Sequence, residues 1–295
     1  MRIRSNVLMA FERAEMESAP QEQARLMTIV IVGGGPTGIE LAGAFAELAR
    51  VVLKRDFRRI DPGQARIILI EASPRILSNM PPDLSESAQR QLEQLGVQVR
   101  TNTRVKNISK GCVELTEGDP ICAENIVWAA GVSACPLTQK LGVPLDRAGR
   151  VKVNPDLSLP GHPEVFAIGD IAVVMDEAGK SVPGVAPAAM QMAKQVARII
   201  QDELNYPATA TRGDFKYSDK GTMATIGRSA AIAQVGRLHI SGLVAWVAWL
   251  GIHLVFLMGL RNKLAVLLQW AYSYFAYKRG ARIITGVSRD KSASS

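Results

Sequence analysis

The stretch from Thr28 to Glu40, TIVIVGGGPTGIE, limits the possible folds of this chain more than any other. Thr28 to Val32 form a continuous apolar and β-branched run, the pattern of a parallel strand covered on both faces. The run enters Gly33-x-Gly35-x-x-Gly38 without interruption, and a helix with Leu41, Ala42, Phe45 and Leu48 on its apolar positions follows. Gly33 permits a tight turn, Gly35 lets the backbone approach a pyrophosphate, and Gly38 lets the helix start close to the strand. The helix start presents free N–H groups and the positive end of its dipole to phosphate. Gly33, Gly35, Pro36, Thr37 and Gly38 are therefore the candidate contacts of a dinucleotide.

The rest of the chain extends this unit. Met1 to Gln23 reads as one helix leading into a polar connector, PQEQAR. The helix from Ile39 runs on into a charged extension, VLKRDFRRIDPGQ, that Pro62 and Gly63 end. A second buried strand at Arg66 to Glu71, a helix around Asp83 to Leu95 and a strand at Val97 to Arg100 continue the strand–helix alternation of a parallel sheet. From Val105 to Trp128 the pattern changes to short strands with Gly turns, as in a small antiparallel layer. Two strands within VKVNPDLSLPGHPEVFAIGD come next. A long helix over Ala186 to Leu204 and short strands near Phe215 to Tyr217, Thr222 to Ile226 and Ala230 to Val235 close the part before the apolar C-terminus.

At 295 residues and 47% apolar content the chain is long enough for about two globular domains and is not disordered. The net charge of +8 fits nucleic acid or an anionic membrane equally, so its distribution decides. Arg261, Lys263, Lys278, Arg279, Arg282, Arg289 and Lys291 flank the most apolar segment, and no nucleic-acid-binding signature accompanies them. Anionic membrane lipids are thus the expected partner, not nucleic acid. The three cysteines, Cys112, Cys122 and Cys135, form no CxxC and have no histidine at ligand spacing. No metal site is expected, and the cysteines are expected to be reduced packing residues of a cytosolic protein. The charged N-terminus predicts no secretory signal.

Glu71 ends the second strand, where an acidic side chain accepts hydrogen bonds from ribose hydroxyls and repels the 2′-phosphate of NADPH, so NADH is the expected cofactor. It lies further on than the usual interval of about 20 residues, the charged extension making up the excess. Arg75 is the opposing feature, because a nearby arginine can accept that phosphate. A second ligand position is Val165 to Asp170, VFAIGD, an apolar strand that places the Asp170 carboxylate beside Gly169 at its carboxyl end.

TIVIVGGGPTGIELAGAFAEL, RIILIEASPRIL, NIVWAAGV, VFAIGDIA, APAAMQMAKQVA and DKGTMATIGR, in that order, resemble the two-dinucleotide-binding flavoprotein reductases. More narrowly, FRRIDP, AMQMAKQ, DKGTMATIGR and the apolar C-terminus resemble the type II, non-proton-pumping NADH:quinone oxidoreductases. The resemblance runs from Arg4 to Gly286. It implies an α/β, Rossmann-like two-dinucleotide-binding flavoprotein fold, with a connector helix at 1–23, an NADH-binding domain at 24–145, the remaining part of an FAD-binding domain at 146–241, and membrane-anchoring helices and tail at 242–295. It implies NADH on Gly33, Gly35, Gly38 and Glu71, with Ala130 and Gly131 near the nicotinamide half. Gly169, Asp170 and Ala189 would meet FAD, Asp170 holding the ribityl chain. Glu40 takes the position of a family glutamate beside nicotinamide and flavin. Gln191 and Gln195 match a family helix that lines the flavin and quinone pocket, although Met190 replaces its first alanine. Their four-residue spacing puts both on one helical face.

The implied activity is a non-electrogenic NADH dehydrogenase: hydride from NADH to FAD, then two electrons to a membrane quinone. Gly242 to Leu260 carries no formal charge and is long enough to span a bilayer. Trp246, Trp249, His253 and the amphipathic Arg261 to Arg279, with Trp270, Tyr272, Tyr274, Phe275 and Tyr277, favour a helix lying in the interface at the cytoplasmic face of the membrane, over a span or a buried core helix or dimer contact. The family carries a further Gly-rich cradle for the ADP part of FAD, which this sequence lacks before Gly33. The expectation is a chain without the N-terminal FAD-binding portion, which retains FAD poorly and has weak activity by itself. A soluble flavin-dependent disulfide or ferredoxin reductase, and an inactive NADH-binding fragment, are the alternatives. A homodimer is compatible with the sequence.

Overall fold

The computed structural model describes residues 2–109, 111–177, 179–257 and 259–276. Tyr277, Lys278, Arg279, Arg282, Arg289 and Lys291, expected at the membrane-facing end, lie outside the described residues, as do the side chains of Tyr274 and Phe275. The chain divides into two compact units, Met1–Ala130 with Thr222–Ser295, and Gly131–Gly221.

In chain order the first unit begins with α1 (Arg2–Met16), α2 (Pro20–Leu26), β1 (Thr28–Val32), α3 (Pro36–Glu47), β2 (Arg66–Ile70), α4 (Pro82–Gln94), β3 (Val97–Arg100), β4 (Val105–Ser109), β5 (Cys112–Leu115), β6 (Ile121–Cys122) and β7 (Asn125–Trp128). The second unit holds β8 (Val151–Lys152), β9 (Ser158–Leu159), β10 (His162–Phe166), β11 (Ala172–Val173) and α5 (Ala186–Asn205). The first unit then resumes with β12 (Thr222–Gly227), β13 (Ala230–Val235), β14 (Leu238–Ser241), α6 (Gly242–Phe256) and α7 (Leu260–Ala276).

The centre of the first unit is a parallel sheet in the order β3-β2-β1-β7. All five residues of β1 are buried, because both faces of the sheet are covered. Ile29 and Ile31 point to one side, into a core with Phe11 of α1, Ile39 and Phe45 of α3, and Leu84 and Leu92 of α4. Val30 and Val32, at the alternate positions of the strand, point to the other side and meet Val113, Ile121 and Ala123 of the antiparallel layer β4-β5-β6. Ala224, Ile226 and Ile232, from the antiparallel sheet β12-β13-β14, join the first of these cores. The second unit has two small cores: Leu157, Val174, Met192, Val196 and Phe215 around α5, and Val151, Leu159, Ala167 and Ala172.

Several local expectations change. The first helix ends at Met16, and the polar connector is itself the helix α2, started by Pro20 at its first turn. The helix after the glycines is α-helical only to Glu47, continues as a π-turn over Leu48–Val52, and then gives way to loop. That loop has its own anchor: the Glu15 carboxylate accepts the backbone N–H groups of Arg58, Arg59 and Ile60 at 3.0–3.1 Å. An open loop held by amide-to-carboxylate bonds satisfies its backbone without a helix. Phe215 to Tyr217 is not a strand, and Leu238–Ser241 adds one that its short, polar sequence concealed.

The cysteines also depart from expectation. Cys112 and Cys122 face each other across β5 and β6 and form a disulfide with a Cα–Cα distance of 3.9 Å, while Cys135 is free and exposed. Sequence spacing alone hides a pairing made by a hairpin register.

At the C-terminal end α6 has 15 residues, a rise of about 22 Å against the roughly 30 Å of a bilayer core. No described helix is long and apolar enough to cross a membrane. Ala245 packs on Ala231 and Ala233, whose small side chains admit the helix, while Leu243, Val244, Val247, Val255 and Phe256 are exposed. Trp249 stacks on His253 with centroids 3.9 Å apart and lies 6.2 Å from Trp270, which ties α6 to α7.

Candidate nucleotide site

The turn between β1 and α3 is built as the glycine pattern requires. Gly33 has φ +113°, and a Cβ there would lie 2.7 Å from the Ala130 nitrogen. Its N–H donates to the Ile70 carbonyl at 2.8 Å, so the turn extends the sheet by one bond. Gly38 packs so closely on the turn that a Cβ would fall 1.8 Å from the Gly33 carbonyl oxygen. Gly35 is the N-cap of α3, followed by Pro36, and no side chain caps the helix there. A Cβ on Gly35 would meet nothing within 4 Å. The fold therefore has no use for a glycine at this position, whereas a ligand approaching the backbone does.

Gly34, which the motif passes over, is the residue that joins the cradle to Glu71. Its N–H donates to Glu71 Oε2 at 2.6 Å, and its carbonyl accepts from the Leu77 N–H at 2.8 Å. A side chain would collide with Glu71 and Ile76 at about 3 Å. The Ser73 N–H donates to Glu71 Oε1 at 2.7 Å. Burial pushes the Glu71 carboxyl up, but the amides of Ser73 and Gly34 outweigh it and hold the group below the ordinary carboxylate range. The Ser73 hydroxyl and the Ala72 N–H add to this hold. Four residues on, Arg75 leaves Nη1 buried with no hydrogen-bond partner among the described residues.

Glu40 stands on α3 with an exposed side chain, and its Oε1 accepts from the Thr225 N–H at 3.3 Å and hydroxyl at 3.2 Å. The Ala130 carbonyl accepts from Trp128 Nε1 at 2.5 Å. The structure thus brings Gly33, Gly35, Pro36, Thr37, Gly38, Glu71 and Ala130 to the carboxyl end of one parallel sheet, where such folds bind ligands.

The remaining sequence-derived positions belong to the second unit. Gly131 has φ +74° in open space. Gly169 has φ +72°, its N–H meets the Met192 sulfur at 3.3 Å, and a Cβ there would touch Ala189 at 3.5 Å. Asp170 is exposed, with Oδ1 beside Gly184. The amide of Gln191 pairs both ways with the backbone of Ser218: Nε2 donates to its carbonyl at 3.0 Å and Oε1 accepts its N–H at 2.9 Å. Gln195 Nε2 donates to the Gly213 carbonyl at 2.9 Å. Both glutamines therefore bind the strand-free stretch 213–218 to α5, a bond pattern that four-residue spacing permits but does not name. Among the described residues no cluster of His, Cys, Asp and Glu is placed to hold a metal ion.

A strand–glycine–helix cradle with an acidic residue on the neighbouring strand defines a dinucleotide-binding oxidoreductase fold. Residues 6–193 match the pyridine nucleotide-disulphide oxidoreductase family, and the chain belongs to it. Within that class the sequence is 43% identical over 293 residues to the type II NADH:quinone oxidoreductase Ndh of Mycobacterium tuberculosis, covering 97% of this chain and 62% of that protein. It is 42% identical to the type II enzyme NdhA of the same organism, with the same coverage of each chain. The chain thus spans about three-fifths of the length of these relatives. The solved structure of NDH2 from Plasmodium falciparum in complex with NADH shares the fold, with a TM-score of 0.83 at 17% identity over 97% of this chain and 72% of that one.

Proposed function

We propose that this chain is the NADH-binding and quinone-facing part of a flavin-dependent, non-proton-pumping NADH:quinone oxidoreductase. The observation that carries the reading is the Glu71 carboxylate, fixed by the Gly34 and Ser73 amides beside the open backbone of Gly35. Its position beside the glycine turn suits it to accept from ribose hydroxyls, and its charge disfavours a 2′-phosphate, so the cofactor is NADH. Gly33, Gly35, Pro36, Thr37 and Gly38 take the pyrophosphate at the start of α3. Glu40, Ala130 and Gly131 are assigned to the nicotinamide half.

The positive-φ turn at Gly169 and the exposed Asp170 carboxylate suit a polyol chain, and with Ala189 they are assigned to FAD. When bound, the flavin supplies the two-electron step between nicotinamide and quinone. Gln191 and Gln195 fix the stretch 213–218 and are assigned to the flavin and quinone side. The names of the Mycobacterium tuberculosis relatives support a quinone as acceptor. The domain division is proposed as 1–23 connector, 24–145 for NADH, 146–241 for part of the FAD domain and 242–295 for the membrane. The exposed apolar side chains of α6 and α7, with Arg261 and Lys263, support a peripheral seat on anionic lipids at the cytoplasmic face, with a homodimer as the proposed assembly.

The test is titration of the purified chain with NADH and NADPH, followed by NADH-dependent reduction of a short-chain quinone with FAD added. NADH is expected to bind more tightly and to drive quinone reduction. NADPH binding at least as tight would assign the ribose site to Arg75. Reduction of a dithiol substrate instead would indicate a soluble disulfide reductase, and NADH binding without turnover an inactive fragment.

A further inference from the structure

Glu40 lies on the α3 face that runs along β12. Glu40, Gly43 and Glu47 follow one another at three- and four-residue intervals, so they share that face. Each meets β12 or its end. Oε1 of Glu40 accepts both the N–H and the hydroxyl of Thr225. Gly43 sits against the Ile226 carbonyl, where no side chain fits, and Glu47 Oε1 accepts the Arg228 N–H. The register of helix on strand is therefore fixed at three successive points, with Glu40 at the end nearer the glycine turn.

Both bonds to Glu40 fall on one oxygen. Oε2 has no hydrogen-bond donor among the described residues, and the side chain is otherwise exposed. A free glutamate on a helix surface samples many rotamers and loses that freedom when it engages a ligand. A glutamate already tethered through one oxygen has lost part of it beforehand, and keeps the second oxygen for the ligand.

We infer that Thr225 is a positioning residue. Its hydroxyl and amide hold Glu40 so that Oε2 is presented to the nicotinamide half of NADH, and Gly43 sets the helix–strand distance that makes the hold possible. The inference rests on the assignment of the α3 cradle to NADH. Thr225 touches neither cofactor nor substrate and acts only through Glu40.

Thr225→Val keeps the shape and the backbone N–H and removes the hydroxyl; Thr225→Ser restores it. The full chain is titrated with NADH by tryptophan-to-nicotinamide energy transfer, and NADH-driven quinone reduction is measured with FAD added. Thr225→Val is expected to lower kcat/KM for NADH about tenfold, the worth of one hydrogen bond to a charged group. NADH affinity should weaken in the same direction, Thr225→Ser should recover both, and Thr225→Val should add nothing in a Glu40→Ala background, where the accepting oxygen is gone. An equal loss in that background shows that Thr225 acts through the fold and overturns the inference, as does wild-type behaviour of Thr225→Val. Failure of the wild-type chain to bind NADH overturns the cradle assignment and the inference together, which distinguishes the two failures.

Discussion

Replacing Gly43 by alanine sets two physical effects against each other. Gly43 is interior to α3, and alanine there would ordinarily stabilise a helix by roughly 0.5–1 kcal/mol. In this structure the new Cβ would sit 1.5 Å from the Ile226 carbonyl oxygen and 2.6 Å from its carbon. Ordinary contact is about 3.5 Å, so helix and strand would have to part by roughly 2 Å. The obstacle is strand backbone, which cannot turn aside as a flexible side chain does. Overpacking of this kind costs about 1–3 kcal/mol, occasionally more. The same displacement stretches the bonds from Thr225 to Glu40 and from Arg228 to Glu47, and loosens Ala224 and Ile226 from the core of the first unit. The net expectation is a loss of about 1–2 kcal/mol, since the steric term exceeds the propensity gain and the stretched bonds add to it. Urea denaturation followed by far-ultraviolet circular dichroism, with glycine and alanine forms in parallel, measures it. An alanine form as stable as the parent, or more so, would refute the reasoning, because helix propensity would then be the only effect at work.

Three further outcomes are expected. Under denaturing, non-reducing conditions a thiol reagent should titrate one cysteine, Cys135, and after reduction all three; three thiols before reduction would contradict the Cys112–Cys122 bond. The Glu71 carboxyl is held below its ordinary value of 4.5, so the stability it contributes is fully present above that pH and is lost as pH falls through the lower folded value. The difference in urea midpoint between parent and Glu71→Gln should accordingly be greatest at neutral pH and vanish in acid, and a pH-independent difference would contradict the amide hold. Arg212 donates to Glu203 at 2.5 Å, to Asp156 at 3.0 Å and to the Pro163 carbonyl at 2.7 Å, with its guanidinium 5.1 Å above Phe166. Arg212→Lys cannot reproduce that fork and should destabilise the second unit by about 1–3 kcal/mol, read by thermal melting.

The parallel sheet and its nucleotide turn are legible in the amino-acid order alone. Hydrophobic period and glycine placement are local properties, and in β1, β2 and α3 they agree with one another, so no long-range contact had to override them. The same order places Glu71 directly after β2, because a strand end is legible where an apolar run meets a charge; Asp170, expected at the end of its strand, lies instead in a short 3-10 turn four residues beyond β10. The remaining features come from contacts between distant segments. Gly34 owes its hold on Glu71, and Gly43 its fit against Ile226, to backbone approaches between segments far apart in the chain, which no periodicity records. The opening of the Val51 to Gln64 segment depends on Glu15, whose amide bonds cross from α1. The cysteine pair arises from the register of β5 on β6. Gln191 and Gln195 showed their spacing in the sequence, but only the packing of the stretch 213–218 on α5 gave them partners. Local patterns fix which elements form; hydrogen bonds and close approaches between distant segments fix what each side chain in the site can do.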